Sequence, residues 1–313
     1  MDTFVRVVEV WRPSADGSLL ELSDGLFESA PAFGAASRGM CFGRAEGLPG
    51  HAWNEARPIL LPQLEGSYFR RAAAARAAGL SCAVALPVFR GELLTSLVVL
   101  LCGAPEAHRG AIELWHNDPR ITGDLRLESG HFGAGAEALA ELSRDSYLPR
   151  GSGLPGLAWQ REAAVFIEGL GDSRQFLRAQ SVAAAGVVNG LALPCASPLQ
   201  QTWVLSLLSS RETPIARRVE SWLPGDAPGT LQRGFGYCAQ RGRLPGGAET
   251  TIEAAVLGCI GEAAGDGVAR VSRAAERAGV GLAGELADAG LRSLVVIPLI
   301  ADAAVSELVV LHF

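Results

Sequence analysis

Residues Phe4 to Arg12 alternate along the chain and are rich in valine, which predicts a β-strand. Pro13-Ser14-Ala15-Asp16-Gly17 is turn chemistry, and Ser18 to Ser23 returns as the second strand of a hairpin. The small, Ala-rich stretch 29–40 predicts a short helix or loop. Gly47-Leu48-Pro49-Gly50 predicts a tight turn into a short helix that carries Trp53, and Pro58 to Leu61 a brief strand. Phe69 to Ala78 is a good helix former, with Gly79 placed to end it. Ser81 to Val88 and Leu93 to Leu101 then predict two closing strands around the turn at Arg90-Gly91. The order β-β-α-α-β-α-β-β describes an α+β unit, a central antiparallel sheet with short helices on one face.

This pattern occurs three times. Trp11, Leu20, Gly25, Gly47, Gly50, Gly79, Leu80 and Pro87 recur 211 positions later as Trp222, Leu231, Gly236, Gly258, Gly261, Gly290, Leu291 and Pro298. Leu97-Val98-Val99-Leu100 returns as Leu308-Val309-Val310-Leu311. A middle copy holds Trp115, Gly130, Gly153-Leu154-Pro155-Gly156, Gly186 and Pro194, at an offset from the first that drifts between 104 and 107. A period of about one hundred residues is too long for solenoid or propeller units and fits small globular modules, with boundaries at 1–104, 108–210 and 214–313.

The Gly-Leu-Pro-Gly turn with Trp53 and Pro58, followed by Ala78-Gly79-Leu80-Ser81 and Ala85-Leu86-Pro87-Val88, resembles the GAF domain family. The middle copy matches through Gly153-Leu154-Pro155-Gly156, Trp159, Phe176, Gly186 and Ala192-Leu193-Pro194. The third is degenerate, with Gly258-Cys259-Ile260-Gly261 and Ile297-Pro298-Leu299. The resemblance implies three tandem GAF-like modules. It also implies a helix before the first strand and one after the last, packed on the back of each sheet, and the chain has no room for either: the first strand starts near Phe4, and the linkers at 103–108 and 210–214 are short. Yet Leu97 to Leu101, Val204 to Leu208 and Leu308 to Val310 are apolar on both faces, as strands are when both faces are covered. The back of each sheet must therefore be covered by a neighbouring module, another copy of the chain, or a partner.

Composition narrows the function. The 313 residues are 49% hydrophobic and 19% charged, as in a folded protein, and all 27 basic residues are arginine, which suggests a GC-rich bacterial gene. The net charge of −6 divides as −2 per module, which argues against nucleic acid or an anionic membrane as partner. Arg70, Arg71 and Arg76 are expected on a solvated helix face. Six cysteines without CxxC pairing suggest neither zinc nor disulfides but thiols of a reducing cytoplasm. The opening MDTFVRVVEVW lacks a signal-peptide core, and no apolar run is long enough to cross a bilayer, so a cytoplasmic location without membrane insertion is expected.

Candidate chemistry is sparse. Glu9 and Trp11, Glu113 and Trp115, and Glu220 and Trp222 stand two residues apart on equivalent strands, so each pair shares a face. Tryptophan anchors interfaces well, and these six are interface candidates, with the core of their own module as the alternative. GAF domains often bind small molecules between sheet and helices; by that resemblance Phe42, Trp53, Phe69, Tyr147, Trp159 and Phe176 are ligand-binding candidates, with core packing as the alternative. Module three has Ala264 where the others have tryptophan. His51, His108, His116, His131 and His312 lack metal-ligand spacing and are expected at the surface. No cofactor or metal is expected. Some GAF proteins reduce free methionine sulfoxide through a cysteine in the Gly-x-x-Gly turn, but here that turn holds Pro49 and Pro155, and Cys259 stands one place away. A non-enzymatic bacterial adaptor, scaffold or regulatory subunit is therefore expected, acting through protein contacts of sheet faces or self-association. The alternative is a stand-alone small-molecule sensor.

Overall fold

The structure, a computed structural model, describes residues 2–173, 176–199, 201–273 and 279–313. The first module runs β1 (Val5–Pro13), β2 (Leu20–Leu26), α1 (Pro31–Arg38), β3 (Cys41–Phe42), α2 (Gly47–Glu55), β4 (Ile59–Leu61), α3 (Ala72–Ala77), β5 (Leu80–Arg90) and β6 (Leu93–Gly103). The second runs β7 (Gly110–Asn117), β8 (Leu125–Phe132), α4 (Glu137–Asp145), β9 (Tyr147–Leu148), α5 (Gly153–Arg161), β10 (Val165–Glu168), α6 (Ala179–Ala184), β11 (Asn189–Cys195) and β12 (Thr202–Ser209). The third runs β13 (Arg218–Pro224), β14 (Thr230–Cys238), β15 (Gly242–Arg243), β16 (Ile252–Glu253), α7 (Cys259–Asp266), β17 (Arg270–Ser272), α8 (Val280–Asp288), β18 (Leu294–Ala301) and β19 (Ala304–His312). Each sheet is antiparallel with the same order: β3-β2-β1-β6-β5-β4 in the first, β9-β8-β7-β12-β11-β10 in the second, and β15-β14-β13-β19-β18-β17 in the third. This is the expected α+β architecture, repeated in three modules.

Local chemistry explains the shared motif. Gly47, Gly153 and Gly258 have φ of +55°, +63° and +51°, a region that favours glycine. The glycines three places on lie against backbone: a Cβ on Gly50, Gly156 or Gly261 would sit 2.0, 2.4 or 1.8 Å from the carbonyl oxygen of Gly43, Pro149 or Ala254. The motif is itself the first turn of α2 and of α5. The helix expected over Phe69–Ala78 is shorter, because the chain reaches helical geometry only after Arg71, whose side chain turns inward. The short outer strand β3 had no sequence signal.

Between modules, the only regular structure in the first linker is a single 3₁₀ turn, Pro105–Ala107. The three sheets pack back to back instead. One apolar cluster joins Val8, Val10, Val98 and Leu100 of the first module, Ile112, Leu114, Leu205 and Leu207 of the second, and Val219, Val295, Val309 and Leu311 of the third. The cover demanded by the two-sided apolar strands is supplied by neighbouring modules. This corrects the expectation that sheet faces serve a partner or a second copy: they are spent inside the chain.

The packing is cyclic. Strand β4 lies against β8, and β17 lies against β2, while Phe166 of β10 stacks on Phe235 of β14 with centroids 5.9 Å apart. Each module thus offers its β4-type edge to the β2-type strand of the next, and the third returns to the first. At one end of the resulting pseudo-threefold axis, Leu86–Phe89, Leu193–Ala196 and Ile297–Ile300 surround a small cavity of about 30 Å³. At the other end the equivalent residues Phe4, His108 and Ile215 meet: the Phe4 and His108 rings stand 4.4 Å apart, and the Val5 N–H donates to the Ile215 carbonyl at 3.3 Å.

Equivalent positions in the three seams carry different polar chemistry. The Ala269 N–H donates to Ser96 Oγ at 2.9 Å, and the Ala164 N–H donates to Glu307 Oε2 at 2.7 Å. Strand register makes Pro58 the counterpart of Ala164 and Ala269, and Trp203 the counterpart of Ser96 and Glu307. Proline has no N–H, and tryptophan supplies no acceptor, so donor and acceptor are lost together. Glu307 is 2% exposed without a cation beside it; burial raises its pKa, opposed by the hydrogen bonds from Ser221 and Ala164.

Four histidines expected at the surface are buried: His108, His116, His131 and His312. His131 Nδ1 donates to the Pro62 carbonyl at 3.0 Å across the first seam, so its Nε2 is left to accept from His108 Nε2 at 3.3 Å. Burial, and His131 beside it, lower the His108 pKa to about 4. His51 is half-buried and stacks on Tyr68.

The seam analysis makes a prediction. Ser96→Ala leaves the buried Ala269 N–H unpaired, and should lower the free energy of unfolding in urea by about 1–3 kcal/mol. A change within a few tenths would show that this bond does not hold the third module to the first.

Candidate functional site

In all three modules the first strand pair carries a β-bulge at the tryptophan, between Val10 and Trp11, Leu114 and Trp115, and Ser221 and Trp222. Below it a carboxylate is buried completely: Glu9, Glu113 and Glu220 are each 0% exposed. An isolated buried carboxylate would be very costly, so its partners decide what the site is.

In the first module Arg71 grips both oxygens of Glu9, with Nη2 at 2.9 Å from Oε2 and Nη1 on Oε1. Trp11 Nε1 donates to the same carboxylate at 3.0 Å, and Ser37 Oγ accepts from Arg71 while donating to the Phe33 carbonyl at 2.9 Å. The guanidinium is ringed by aromatic side chains, with Phe33, Phe69, Trp11 and Phe42 centroids at 4.7, 5.1, 5.5 and 5.8 Å. The second module repeats this: Arg178 holds Glu113 at 2.9 Å, Trp115 donates to it at 3.1 Å, and Ser143 donates to it at 2.7 Å. Trp115 and Phe176 flank Arg178 at 5.1 and 5.0 Å.

The third module keeps the carboxylate and changes everything around it. The counterpart of Arg71 is Leu282, buried among apolar neighbours. Positions that are Val7, Leu22 and Leu101 in the first module become Arg218, Arg233 and His312. Arg218 and Arg233 reach Glu220 Oε1 at 2.6 and 2.7 Å, and His312 Nε2 donates to Oε2 at 2.7 Å. The half-exposed Glu285 bridges both arginines at 2.8 and 3.3 Å. Trp222 Nε1, by contrast, has no hydrogen-bond partner among the described residues. Burial pushes the Glu220 pKa up, but His312, Arg218 and Arg233 outweigh it and hold the carboxyl at about 2.

These positions settle where the sequence candidates stand. Glu9, Trp11, Glu113, Trp115, Glu220 and Trp222 lie in the cores of their own modules, all fully buried, so they are not anchors for another chain. That corrects their reading as interface residues; each carboxylate needs the interior to hold its cation, and each ring covers that pair. Among the ligand candidates, Phe42 and Phe69 are brought together around the Arg71 guanidinium of the first module, and Phe176 lies against that of Arg178 in the second. Trp53 is buried in the core of its module with Arg44 over its ring at 4.3 Å, and Trp159 is partly buried under Arg150 at 5.8 Å. Tyr147 is 57% exposed and does not join the group. Arg71 departs from the expected solvated face at 5% exposure, while Arg70 and Arg76 keep to it with surface partners Glu46 and Glu65. The missed signal was the repeat itself, since Arg71 and Arg178 stand 107 apart, as do Phe69 and Phe176.

Cys259 is buried at the start of α7, and burial together with Glu262 pushes its thiol to about 11, well away from nucleophilic character. Among the described residues no group of three or more His, Cys, Asp or Glu side chains could hold a metal ion. No helix of the described residues is long and apolar enough to cross a membrane.

No family model and no curated protein sequence matches the chain. Solved structures do. A GAF domain of A. aeolicus nlh2 in an inactive state is similar at 15% identity over 32% of this chain and 59% of its own, with a TM-score of 0.26. Free methionine-R-sulfoxide reductase from Neisseria meningitidis is similar at 16% identity over 33% of this chain and 53% of its own, with a TM-score of 0.25. The GAF domain of a two-component sensor histidine kinase from Bacillus halodurans is similar at 19% identity over 33% of this chain and 65% of its own, with a TM-score of 0.24. The chain thus spans less than two thirds of each, and each spans about one module.

Two predictions test the buried network. Arg71→Met strands Glu9 and should cost about 3–5 kcal/mol in denaturant unfolding, whereas the double variant with Glu9→Gln should recover much of that loss. Equal losses in single and double variants would refute the pairing. Glu220 has a folded pKa of about 2 against an ordinary 4.5, so stability present above pH 4.5 is lost as pH falls toward 2. Glu220→Gln should flatten thermal stability across that window while lowering it at neutral pH; an unchanged acid slope would count against the network.

Proposed function

We infer that the protein is a non-enzymatic adaptor, scaffold or regulatory subunit of bacterial signalling, acting in the cytoplasm through protein–protein contacts. The observation that carries this reading is the closed ring. The sheet backs are consumed internally, and the space under the helices of the first two modules is filled by Arg71 and Arg178, each clamped on a buried glutamate. What the chain offers outward is its helical faces and loops. The second module exposes the most there, with Leu142, Tyr147 and Leu177 at 46, 57 and 65%. The printed names of similar structures, a sensor kinase domain among them, support a signalling setting.

The alternative is a sensor that binds a small molecule in the module one or module two pocket. Such a ligand must displace Arg71 from Glu9 or Arg178 from Glu113, and leaving either carboxylate buried alone costs about 3–5 kcal/mol. The geometry therefore favours the adaptor. Catalysis is no part of this reading, since burial and Glu262 outweigh Arg270 and hold the Cys259 thiol at about 11.

Light scattering should give the mass of one 32.6 kDa chain, because a ring that closes leaves no sheet back for self-association. Leu142→Asp with Leu177→Asp should abolish recovery of the cellular partner in crosslinking while leaving the melting temperature unchanged. A partner captured equally well by the double variant, or none captured by the wild type, would reject the outward face of the second module as the contact.

A further inference from the structure

The starts of the first and third modules run side by side, because the Phe4 and Val5 N–H groups donate to the Pro214 and Ile215 carbonyls at 2.8 and 3.3 Å. This brings together two equivalent arginines, Arg6 and Arg217, which stand 211 positions apart. Both line one cavity of about 610 Å³, within the range of small-molecule sites, and Arg273 and Arg292 line it too. Four guanidinium groups thus face one space in a protein whose net charge is −6.

Their internal commitments are uneven. Arg217 Nη1 donates to the Gly290 carbonyl at 3.1 Å, at the end of α8, but the matching bond from Arg6 to the Gly79 carbonyl is stretched to 3.5 Å. Arg273 holds the Gly25 carbonyl at 2.9 Å and pairs with Asp24. Arg292 makes no side-chain hydrogen bond or ion pair among the described residues and is exposed. Its counterparts in the other modules are Ser81 and Val188, so no repeated structural role calls for an arginine there. Two carboxylates, Asp2 and Glu28, lie on the same wall, leaving the cavity net positive. In the second module Arg109, which lies beside Gly186 as Arg6 lies beside Gly79, lines a different cavity together with Glu106 and Glu212, where the charge is net negative. The concentration of positive charge is therefore particular to the junction of modules one and three.

Guanidinium forks match oxyanions through paired N–H donors, and several around one space select for more than one negative charge. Val8 and Leu26 give the cavity an apolar side. We propose that this cavity binds a small oxyanion carrying two or more negative charges, of the phosphoryl or carboxylate kind, across the junction of the first and third modules. The site lies outside the space between sheet and helices of any module, and it does not depend on the adaptor reading. Its occupant would tie Arg6 of one module to Arg217 and Arg292 of another, and so stiffen the ring where the third module closes on the first.

The test is calorimetry and thermal melting of the full chain titrated with inorganic pyrophosphate and, separately, with citrate. Saturable binding of either, weakening as salt rises, with a melting temperature that climbs with concentration, is the expected result. Pyrophosphate alone would identify the phosphoryl class, citrate alone the carboxylate class. Arg292→Ala should weaken binding by about tenfold or more, and Arg292→Glu should abolish it. Arg120→Ala removes an exposed guanidinium in the second module, paired with Asp118, and should leave binding unchanged. Neither anion binding the wild type, or Arg120→Ala weakening binding as much as Arg292→Ala, would overturn the proposal.

Discussion

The burial of three apolar sheet backs against one another is the constraint on which the rest of this structure depends. A strand such as Leu97 to Leu101 cannot leave either face in water, and the helices on the front of its sheet cover only one. Three such sheets solve the problem jointly. Head-to-tail contacts that close after three steps leave no unmatched surface at either end, which is how rings avoid becoming filaments. Here the ring is a single chain, so linkers replace association. That frees each seam to specialise: a serine, a tryptophan and a glutamate occupy the same place in the three seams, and the donor opposite is present or absent to match.

The second constraint follows from the first. With backs and fronts both covered, each module encloses a dry interior, and in each a glutamate sits within it. A carboxylate there is tolerable only with a cation and hydrogen bonds in close geometry. The first two modules supply the cation from the residue just before the third helix, and surround it with aromatic faces that attract positive charge. The third moves the cation to the strands and adds His312. The same carboxylate is satisfied by a different set of residues, and the indole that donates to it elsewhere loses its partner. A buried pair is weak evidence for stability compared with an apolar filling of equal volume. Its persistence at Glu9, Glu113 and Glu220 fits a role in fixing one register of the bulged strand pairs, since the two-residue spacing already puts tryptophan and glutamate on one face of the first strand and the extra residue lies on its partner.

Much of this was legible in the sequence, and the parts that were not have physical reasons. Strands show through alternation or through continuous apolar runs, and the glycine pair of Gly47 and Gly50 shows because no other residue fits a positive φ and a carbonyl at 2.0 Å. The need for cover on the sheet backs was legible as well, since two-sided apolar strands state it directly. What covers them was not, because a surface that suits a neighbouring module suits a partner equally well. Arg71 misled for a different reason: in a run of alanines and arginines, a helix face and a buried cation have the same composition. Only its spacing from Arg178 separates them. His108 and His131 misled because burial at a junction depends on contacts between modules, which no single module's pattern encodes, and His312 because it pairs with a buried carboxylate of its own module.

The asymmetry of the ring carries the functional argument further than its symmetry does. Positions identical in all three modules serve the fold: tryptophan over glutamate, glycine at the helix start, an arginine reaching the end of the third helix. Positions that differ are where selection on something other than folding can act. They gather in the third module, which has surrendered its helix arginine, taken on Arg218, Arg233 and His312, and placed Arg292 where the others have serine or valine. A module free of the need to present its own sheet can drift in sequence while the ring holds its shape. The one that has drifted furthest from the shared pattern is also the one whose junction with the first module gathers four arginines around one cavity. Divergence and charge can meet there because the positions shared by all three copies already hold the ring.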